Sequence, residues 1–173
     1  MFRRILIFGV AAGVIVAVPM FWLLIQFGEG SLLAGYSMML LGLSLIFVAV
    51  KRHRDQALGG VIRFLPALGM GLAISAVAGI VYVVGWEITL AATDFHFVEV
   101  YSNSAIEAAR ARGASAAEVQ AVVAQMNEFR ETYANPLIRL PMTFVEIFPV
   151  GVLISLITAL LLRNSRFLPA RAV

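Results

Sequence analysis

The sequence predicts an all-α integral membrane protein, a four-helix bundle with an extracytoplasmic helical hairpin between spans three and four. Two features of the composition support this fold class: 61% of the 173 residues are hydrophobic and only 13% are charged. Soluble domains have about half apolar and about a quarter charged residues. The third feature is the presence of four apolar stretches, each longer than the roughly 18 residues that indicate a membrane span.

These stretches organise the chain as a single membrane domain over residues 1–173. We place the spans at residues 5–27, 32–50, 61–92 and 137–162, and the external hairpin at residues 93–136. The first run exceeds the apolar core of a signal peptide, which is about 7–15 residues, so an uncleaved span is predicted. Gly28–Ser31 has the composition of a tight turn between spans one and two. The third span is rich in small residues and ends near Trp86-Glu87, just before the only extended polar segment.

That polar segment is predicted to form two helices outside the membrane. Phe95–Arg112 is helical by composition, and Gly113 suits the end of a helix. Ser115 and Glu118 have the spacing of a capping box that starts the second helix. Asn135-Pro136 should end it, because the residue before proline avoids helical geometry. The second helix has one apolar face, which we expect to cover the bundle mouth as a lid; the alternative is a surface for another protein.

The distribution of basic residues predicts the orientation of the bundle. Four basic residues lie on the side of the membrane that holds the hairpin: Arg110, Arg112, Arg130 and Arg139. Nine lie on the opposite side: Arg3, Arg4, Lys51, Arg52, Arg54, Arg63, Arg163, Arg166 and Arg171. Because cytoplasmic loops carry the excess of lysine and arginine, both termini are predicted to be cytoplasmic. This rule also accounts for the pI of about 9.8, so no nucleic-acid partner is predicted, and binding of the basic run at residues 51–54 to anionic lipid is the less favoured interpretation.

Several motifs in chain order resemble one family of small bacterial membrane proteins. The segments that carry the resemblance are Gly35–Met39, Lys51–Asp55, Gly59–Ile62, Tyr82 with Trp86-Glu87, Gly113–Ser115, Asn135-Pro136 and Met142–Gly151. On these segments the chain resembles the proteins grouped as domain of unknown function 4199. The resemblance implies a four-span inner-membrane protein without an assigned activity, and it supplies no functional residues.

Glu87 and Glu146 are the most informative polar residues of the apolar stretches. Glu87 lies near the outer end of span three and Glu146 a few residues into span four, so similar depths in the outer half of the membrane are expected. An ionisable group there usually indicates function, and two carboxylates sharing a low-dielectric site favour a bound proton or cation. Pro149 deprives the Val145 carbonyl of its helical donor, which adds an oxygen beside Glu146. The pair is our candidate ion or proton site.

A structural interpretation of the two acids is also open, and it is the favoured one. Trp86 and Tyr82 are typical of the aromatic belt at a membrane interface, where the charge of Glu87 would be tolerated. Glu146 could pair with Arg139, two turns earlier in the same helix. Under this interpretation both acids stabilise the bundle and bind nothing.

His96 and Glu99 are weaker candidates for a metal site, alone or with Glu87. Their spacing of three residues places both on one helix face. The chain has two histidines and no cysteine, and no metal-binding motif surrounds His96, so a solvated interfacial histidine is favoured and no metal ion is predicted. The absence of cysteine also excludes disulfides and thiol nucleophiles.

Small residues recur at every fourth position in spans one and three. Gly9, Gly13 and Ala17 form one stripe, and the other consists of Gly71, Ser75 and Gly79. Such stripes let helix backbones approach closely in lipid. Packing within the bundle would explain both stripes, and homodimerisation is the alternative.

The sequence offers no recognisable catalytic arrangement, so we predict a protein that is not an enzyme and has no cofactor. The spans contain serines, but no histidine lies inside a span to activate one. The favoured function is a non-enzymatic interaction or structural protein of the bacterial inner membrane. Its expected partners are the lipid bilayer and a protein partner or a second copy of the chain. The alternative is a proton- or cation-linked carrier or sensor that uses Glu87 and Glu146.

Overall fold

The computed structural model describes residues 1–27 and 32–170, and within these residues it contains seven α-helices and no strands. The helices are α1 (Phe2–Phe27), α2 (Leu32–Leu43), α3 (Leu45–Ala57), α4 (Phe64–Ala92), α5 (His96–Ala111), α6 (Ala116–Ala134) and α7 (Pro136–Leu162). The predicted turn at Gly28–Ser31 lies outside the described residues, as does Arg171.

Four helical stretches of the described chain are long and apolar enough to cross a membrane. They are Phe2–Leu24, Leu33–Ala57, Phe64–Ala92 and Pro136–Leu162. The prediction of an all-α, multi-pass membrane protein is therefore confirmed. Many large apolar side chains remain exposed on the outside of the bundle, as expected for helices whose outer faces contact lipid.

The second membrane stretch differs from the predicted span in length and continuity. It consists of α2 and α3, separated at Ser44, whose hydroxyl donates to the Leu41 carbonyl at 2.6 Å. Helix α3 continues past residue 50 to Ala57, so the basic run at residues 51–54 is helical. A salt bridge between Lys51 and Asp55, one turn apart, supports this extension.

Arg54 of the basic run is completely buried rather than solvated. Its guanidinium donates to the carbonyls of Phe167 and Leu168 at 3.0 and 2.5 Å, and to the Asp55 carboxylate at 2.7 Å. Residues that follow α7 are thereby fixed against α3. Part of the positive charge that sets the predicted topology therefore also stabilises the fold.

The small-residue stripe of α1 is packed against α4. A Cβ atom added at Gly9 would lie 2.6 Å from Val77, and one added at Gly13 would lie 2.6 Å from Val81. Real Cβ atoms do not approach this closely, so both positions require glycine. This stripe is used for packing within the chain, as the first of the two interpretations predicts.

The second stripe brings α4 against α7. A Cβ at Gly71 would meet the Ser155 hydroxyl at 2.7 Å, and a Cβ at Gly151 would meet the Ser75 hydroxyl at 2.6 Å. The two serine oxygens are 3.3 Å apart, and each hydroxyl also lies within hydrogen-bonding distance of a carbonyl of its own helix. Two glycine–serine pairs therefore interlock in the centre of the bundle.

Helices α5 and α6 form a pair between the third and fourth membrane stretches. Asp94 and Phe95 have positive φ angles of 47° and 59°, which turn the chain sharply after α4. The predicted capping box is present at the start of α6: Glu118 accepts from the Ser115 backbone at 2.7 Å, and the Ser115 hydroxyl accepts from the Glu118 backbone at 3.4 Å. The hydrogen bonds that the backbone and the hydroxyl of Ser115 donate to the Glu118 carboxylate lower the pKa of this exposed carboxyl.

Candidate functional site

Glu87 forms a two-pronged ion pair with Arg139 between α4 and α7. The Arg139 Nε atom donates to one carboxylate oxygen at 2.8 Å, and Nη2 donates to the other at 2.6 Å. Nη1 donates to the Tyr133 carbonyl at 2.8 Å. The guanidinium also lies over the rings of Phe95 and Tyr133, at 5.1 and 5.8 Å. Arg139 is buried, and its charge is neutralised by Glu87.

The prediction that Glu146 could pair with Arg139 is therefore wrong. Glu87 and Glu146 also lie in different layers of the bundle. Glu87 is five residues from the end of α4, about 8 Å along the helix, whereas Glu146 is ten residues from the start of α7, about 15 Å along the helix. The structure thus gives the two acids different partners at different depths.

Glu146 faces Tyr82 of α4. Tyr82 lies ten residues before the end of α4, so the two residues share the same layer, and both side chains line one cavity. Tyr82 is buried, whereas Glu146 is accessible. Among the described residues, Glu146 forms no ion pair. Within the described part of the chain, its carboxylate therefore has no cationic partner.

Five aromatic side chains form a closed circuit above this layer. Trp86 packs edge-on against Phe97 at 5.1 Å, and the chain of ring contacts continues through Tyr101 and Phe129 to Tyr133 at 5.8, 5.5 and 5.1 Å. The indole nitrogen of Trp86 closes the circuit by donating to the Tyr133 hydroxyl at 2.7 Å. Burial raises the pKa of the Tyr133 phenol, which keeps this hydroxyl protonated. The circuit joins α4, α5 and α6.

A cavity of about 240 Å³ lies between this circuit and Glu146. Helices α1, α2, α4, α5, α6 and α7 all contribute to its wall. The lining residues are mostly apolar or aromatic: Met20, Leu24, Gly35, Tyr36, Tyr82, Trp86, Phe97, Tyr101, Tyr133 and Glu146. Glu146 is the only carboxylate among them. As far as the described residues go, the site is therefore an aromatic chamber with one carboxylate.

The weaker metal candidates lie outside this chamber. His96 and Glu99 are both exposed at the start of α5, and neither lines the cavity. Within the described part of the chain, no three histidine, aspartate or glutamate side chains are grouped so that they could hold a metal ion. These two residues therefore contribute nothing to the chamber at Glu146.

Sequence reasoning missed most of the aromatic wall. It selected Tyr82 and Trp86 as interface residues, but it did not select Tyr36, Tyr101 or Tyr133. The available signal was the coincidence of aromatic residues near the start of α2, on α5 and at the end of α6. That signal depends on how the helix pair folds back onto the bundle.

Comparison with known proteins decides the family. Residues 7–164 match the family described as Protein of unknown function (DUF4199). This chain belongs to the DUF4199 family. The resemblance inferred from the sequence motifs is therefore confirmed. No curated protein and no solved structure matches the chain.

The family description of DUF4199 carries no activity. A function for this DUF4199 protein must therefore be argued from its own residues. The chamber at Glu146 is the candidate functional site, because it combines an accessible acid with a formed cavity.

Proposed function

We propose that this DUF4199 protein is a non-enzymatic inner-membrane protein that binds a positively charged species at Glu146, as a sensor or binding protein. The observation that carries the proposal is the pairing of Arg139 with Glu87, which leaves Glu146 as the uncompensated acid of a cavity. A charged side chain within a membrane span costs about 3 kcal/mol on insertion scales. A bound cation or proton would offset this cost.

Glu87 and Glu146 have different roles under this proposal, which revises the hypothesis that the two carboxylates form one site. Glu87 acts structurally by holding α4 to α7 and to the end of α6, through Arg139. Glu146 acts as the binding group. This assignment keeps the cation-linked alternative and moves it from two carboxylates to one.

The burial of apolar side chains on α5 and α6 supports cation binding over a protein-partner function. A partner surface would require an exposed apolar face on α5 or α6. Val98 and Met126 are instead buried, and Phe129 is half-buried within the aromatic circuit. These three apolar side chains of α5 and α6 are thus used inside the protein.

The composition of the chamber wall supports a binding role over catalysis. Its described residues offer one carboxylate and four tyrosine hydroxyls besides Trp86, with no histidine, lysine or serine beside them. A nucleophile with an adjacent base would need such a side chain. We therefore assign the chamber to ligand recognition.

The proposed topology places both termini in the cytoplasm and α5–α6 outside, in a bacterial inner membrane. Since the chain contains no cysteine, single cysteines introduced at exposed positions report topology without background labelling. We expect Ala121→Cys on α6 to react with a membrane-impermeant thiol reagent in intact cells. Ala57→Cys, at the opposite end of the bundle, should react only after lysis. If Ala57→Cys reacted in intact cells and Ala121→Cys reacted only after lysis, the opposite topology would be correct.

The cation-binding function is tested by thermal unfolding of the detergent-purified protein. We expect one member of a panel of metal and ammonium cations to raise the unfolding temperature saturably, because a ligand that binds only the folded state stabilises it. At about one hundred times Kd the gain is about 2.7 kcal/mol. Glu146→Gln should abolish the gain.

Glu128→Gln is the matched control, because Glu128 is exposed on α6 and does not line the chamber. This variant should retain the full stabilisation by the cation. Identical responses in wild type and Glu146→Gln, or no response to any cation, would refute the proposed function.

A further inference from the structure

We propose that the species bound at Glu146 is an organic ammonium group, of the kind found in choline or ethanolamine. This inference rests on the proposed function and names its ligand class. It is carried by the aromatic composition of the chamber wall together with its single carboxylate.

The aromatic residues are arranged from the floor of the chamber to its mouth. Tyr82, Trp86 and Tyr133 are only 2%, 9% and 8% exposed, whereas Tyr36 and Tyr101 are 49% and 50% exposed. An ammonium ion is attracted to the electron-rich faces of such rings, and tryptophan and tyrosine bind it better than phenylalanine. Aromatic cages of this composition recognise quaternary ammonium ligands. The wall therefore suits a cation that also carries apolar surface.

The charge of the chamber matches the same ligand. Glu146 supplies one negative charge, and the nearby Arg139 is neutralised by two hydrogen bonds to Glu87. Among the described residues that line the chamber, no unpaired cation therefore faces an incoming ammonium group. A neutral molecule would form no ion pair with the carboxylate, and an anion would be repelled by it.

The volume of the chamber is also large enough for a small organic ammonium group. A cavity of roughly 150 Å³ accommodates a benzene-sized molecule, and this one measures about 240 Å³. A trimethylammonium or ethanolammonium group fits within that volume. Bare metal ions fit less well, because magnesium and calcium require six or more oxygen ligands and no cluster of three acidic or histidine side chains exists among the described residues.

An ammonium group could reach the chamber from two sources. One is the headgroup of a lipid in the leaflet beside α5 and α6, and the other is a free amine in solution. Both present the same chemistry to Glu146 and to the aromatic wall. The experiment below separates them by changing the lipid and keeping the titrant constant.

Tryptophan fluorescence provides the readout. The chain has two tryptophans, and only Trp86 lines the chamber, so Trp22→Phe makes its emission specific. In phosphatidylglycerol nanodiscs, we expect choline to change this emission saturably. Its uncharged isostere, with tert-butyl in place of trimethylammonium, should bind at least tenfold more weakly. Glu146→Gln should weaken choline binding at least tenfold, and Glu128→Gln should leave it unchanged.

Replacing half of the phosphatidylglycerol with phosphatidylethanolamine distinguishes the two sources. A lipid headgroup in the chamber would compete and raise the apparent Kd of choline, whereas a chamber for free amines would keep the same Kd. Calorimetric titration of the unmodified chain with choline and its isostere tests the charge requirement without any substitution.

Equal affinity for choline and its uncharged isostere, or no binding of either, would overturn the ammonium assignment. If an inorganic cation still stabilised wild type but not Glu146→Gln, the proposed function would stand and only the ligand class would be wrong. If the binding of every cation tested were independent of Glu146, both proposals would fail.

Discussion

Substitution of Arg139 by glutamine is expected to destabilise the protein by about 3 kcal/mol, because it leaves Glu87 beside a partner that has lost its charge. The substitution also removes a charged donor from the Tyr133 carbonyl and a cation from the Phe95 ring. The end of α6 should loosen together with the contact between α4 and α7. Chemical denaturation monitored by circular dichroism measures the loss.

A double-substitution cycle separates the ion pair from the other contacts of Arg139. The variant carrying both Glu87→Gln and Arg139→Gln should recover part of the lost stability, because no unpaired charge remains. Arg110→Gln is the matched control: its salt bridge with Glu107 joins side chains that are 58% and 68% exposed, and such exposed pairs contribute at most about 1 kcal/mol. Equal effects of the Arg110 and Arg139 substitutions would contradict the structural role of the Glu87 pair.

Substitution of Gly71 by leucine is expected to prevent normal packing of α4 on α7. Its Cβ alone would come within 2.7 Å of the Ser155 hydroxyl and 3.2 Å of Ile46, so the helices would have to separate. Overpacking a tight core costs about 1–3 kcal/mol and occasionally more. Because Gly71 lies in the interlocked glycine–serine centre, we expect the upper end of that range or loss of folded protein.

Gly69 provides a matched control on the same helix. A Cβ at Gly69 would have no neighbour within 4 Å, so Gly69→Leu should leave stability unchanged or raise it slightly through better helix propensity. Size-exclusion profiles and thermal unfolding in detergent compare the two variants. If Gly69→Leu proved as damaging as Gly71→Leu, the close approach of α4 and α7 at Gly71 would be contradicted.

The spans, the capping box and the helix ends could be predicted from the sequence because each depends on residues close together in the chain. Hydrophobic length alone predicts a span, and the box at Ser115 and Glu118 requires only a spacing of three. The extension of α3 to Ala57 was missed, since it depends on burial of Arg54 against Phe167 and Leu168, more than 100 residues later.

The chemistry of the candidate site was harder to predict for the same reason. Glu87 and Arg139 are 52 residues apart, and the choice between Glu87 and Glu146 as the partner of Arg139 depends on the relative depth of two helices. Helix α7 begins at Pro136, which places Arg139 in its first turn and Glu146 two turns deeper. Sequence spacing within α7 favoured the wrong acid.

The aromatic chamber depends on the relative positions of several helices. Tyr101 and Tyr133 reach the cavity because α5 and α6 pack on each other after the turn at Asp94 and Phe95. In the sequence, these tyrosines are ordinary members of amphipathic helices. Their position beside Tyr82 and Glu146 is a property of the tertiary structure, and hydrophobic periodicity alone does not predict it.

The most direct test of the account is a count of ammonium groups bound per chain. Equilibrium dialysis of isotopically labelled choline against the purified protein in phosphatidylglycerol nanodiscs measures this number, with empty nanodiscs as the blank. We predict one saturable site per chain in wild type and in Glu128→Gln, and no saturable site in Glu146→Gln at the same concentrations. Equal saturable binding in wild type and Glu146→Gln, or none in wild type, would contradict recognition of a cation at Glu146.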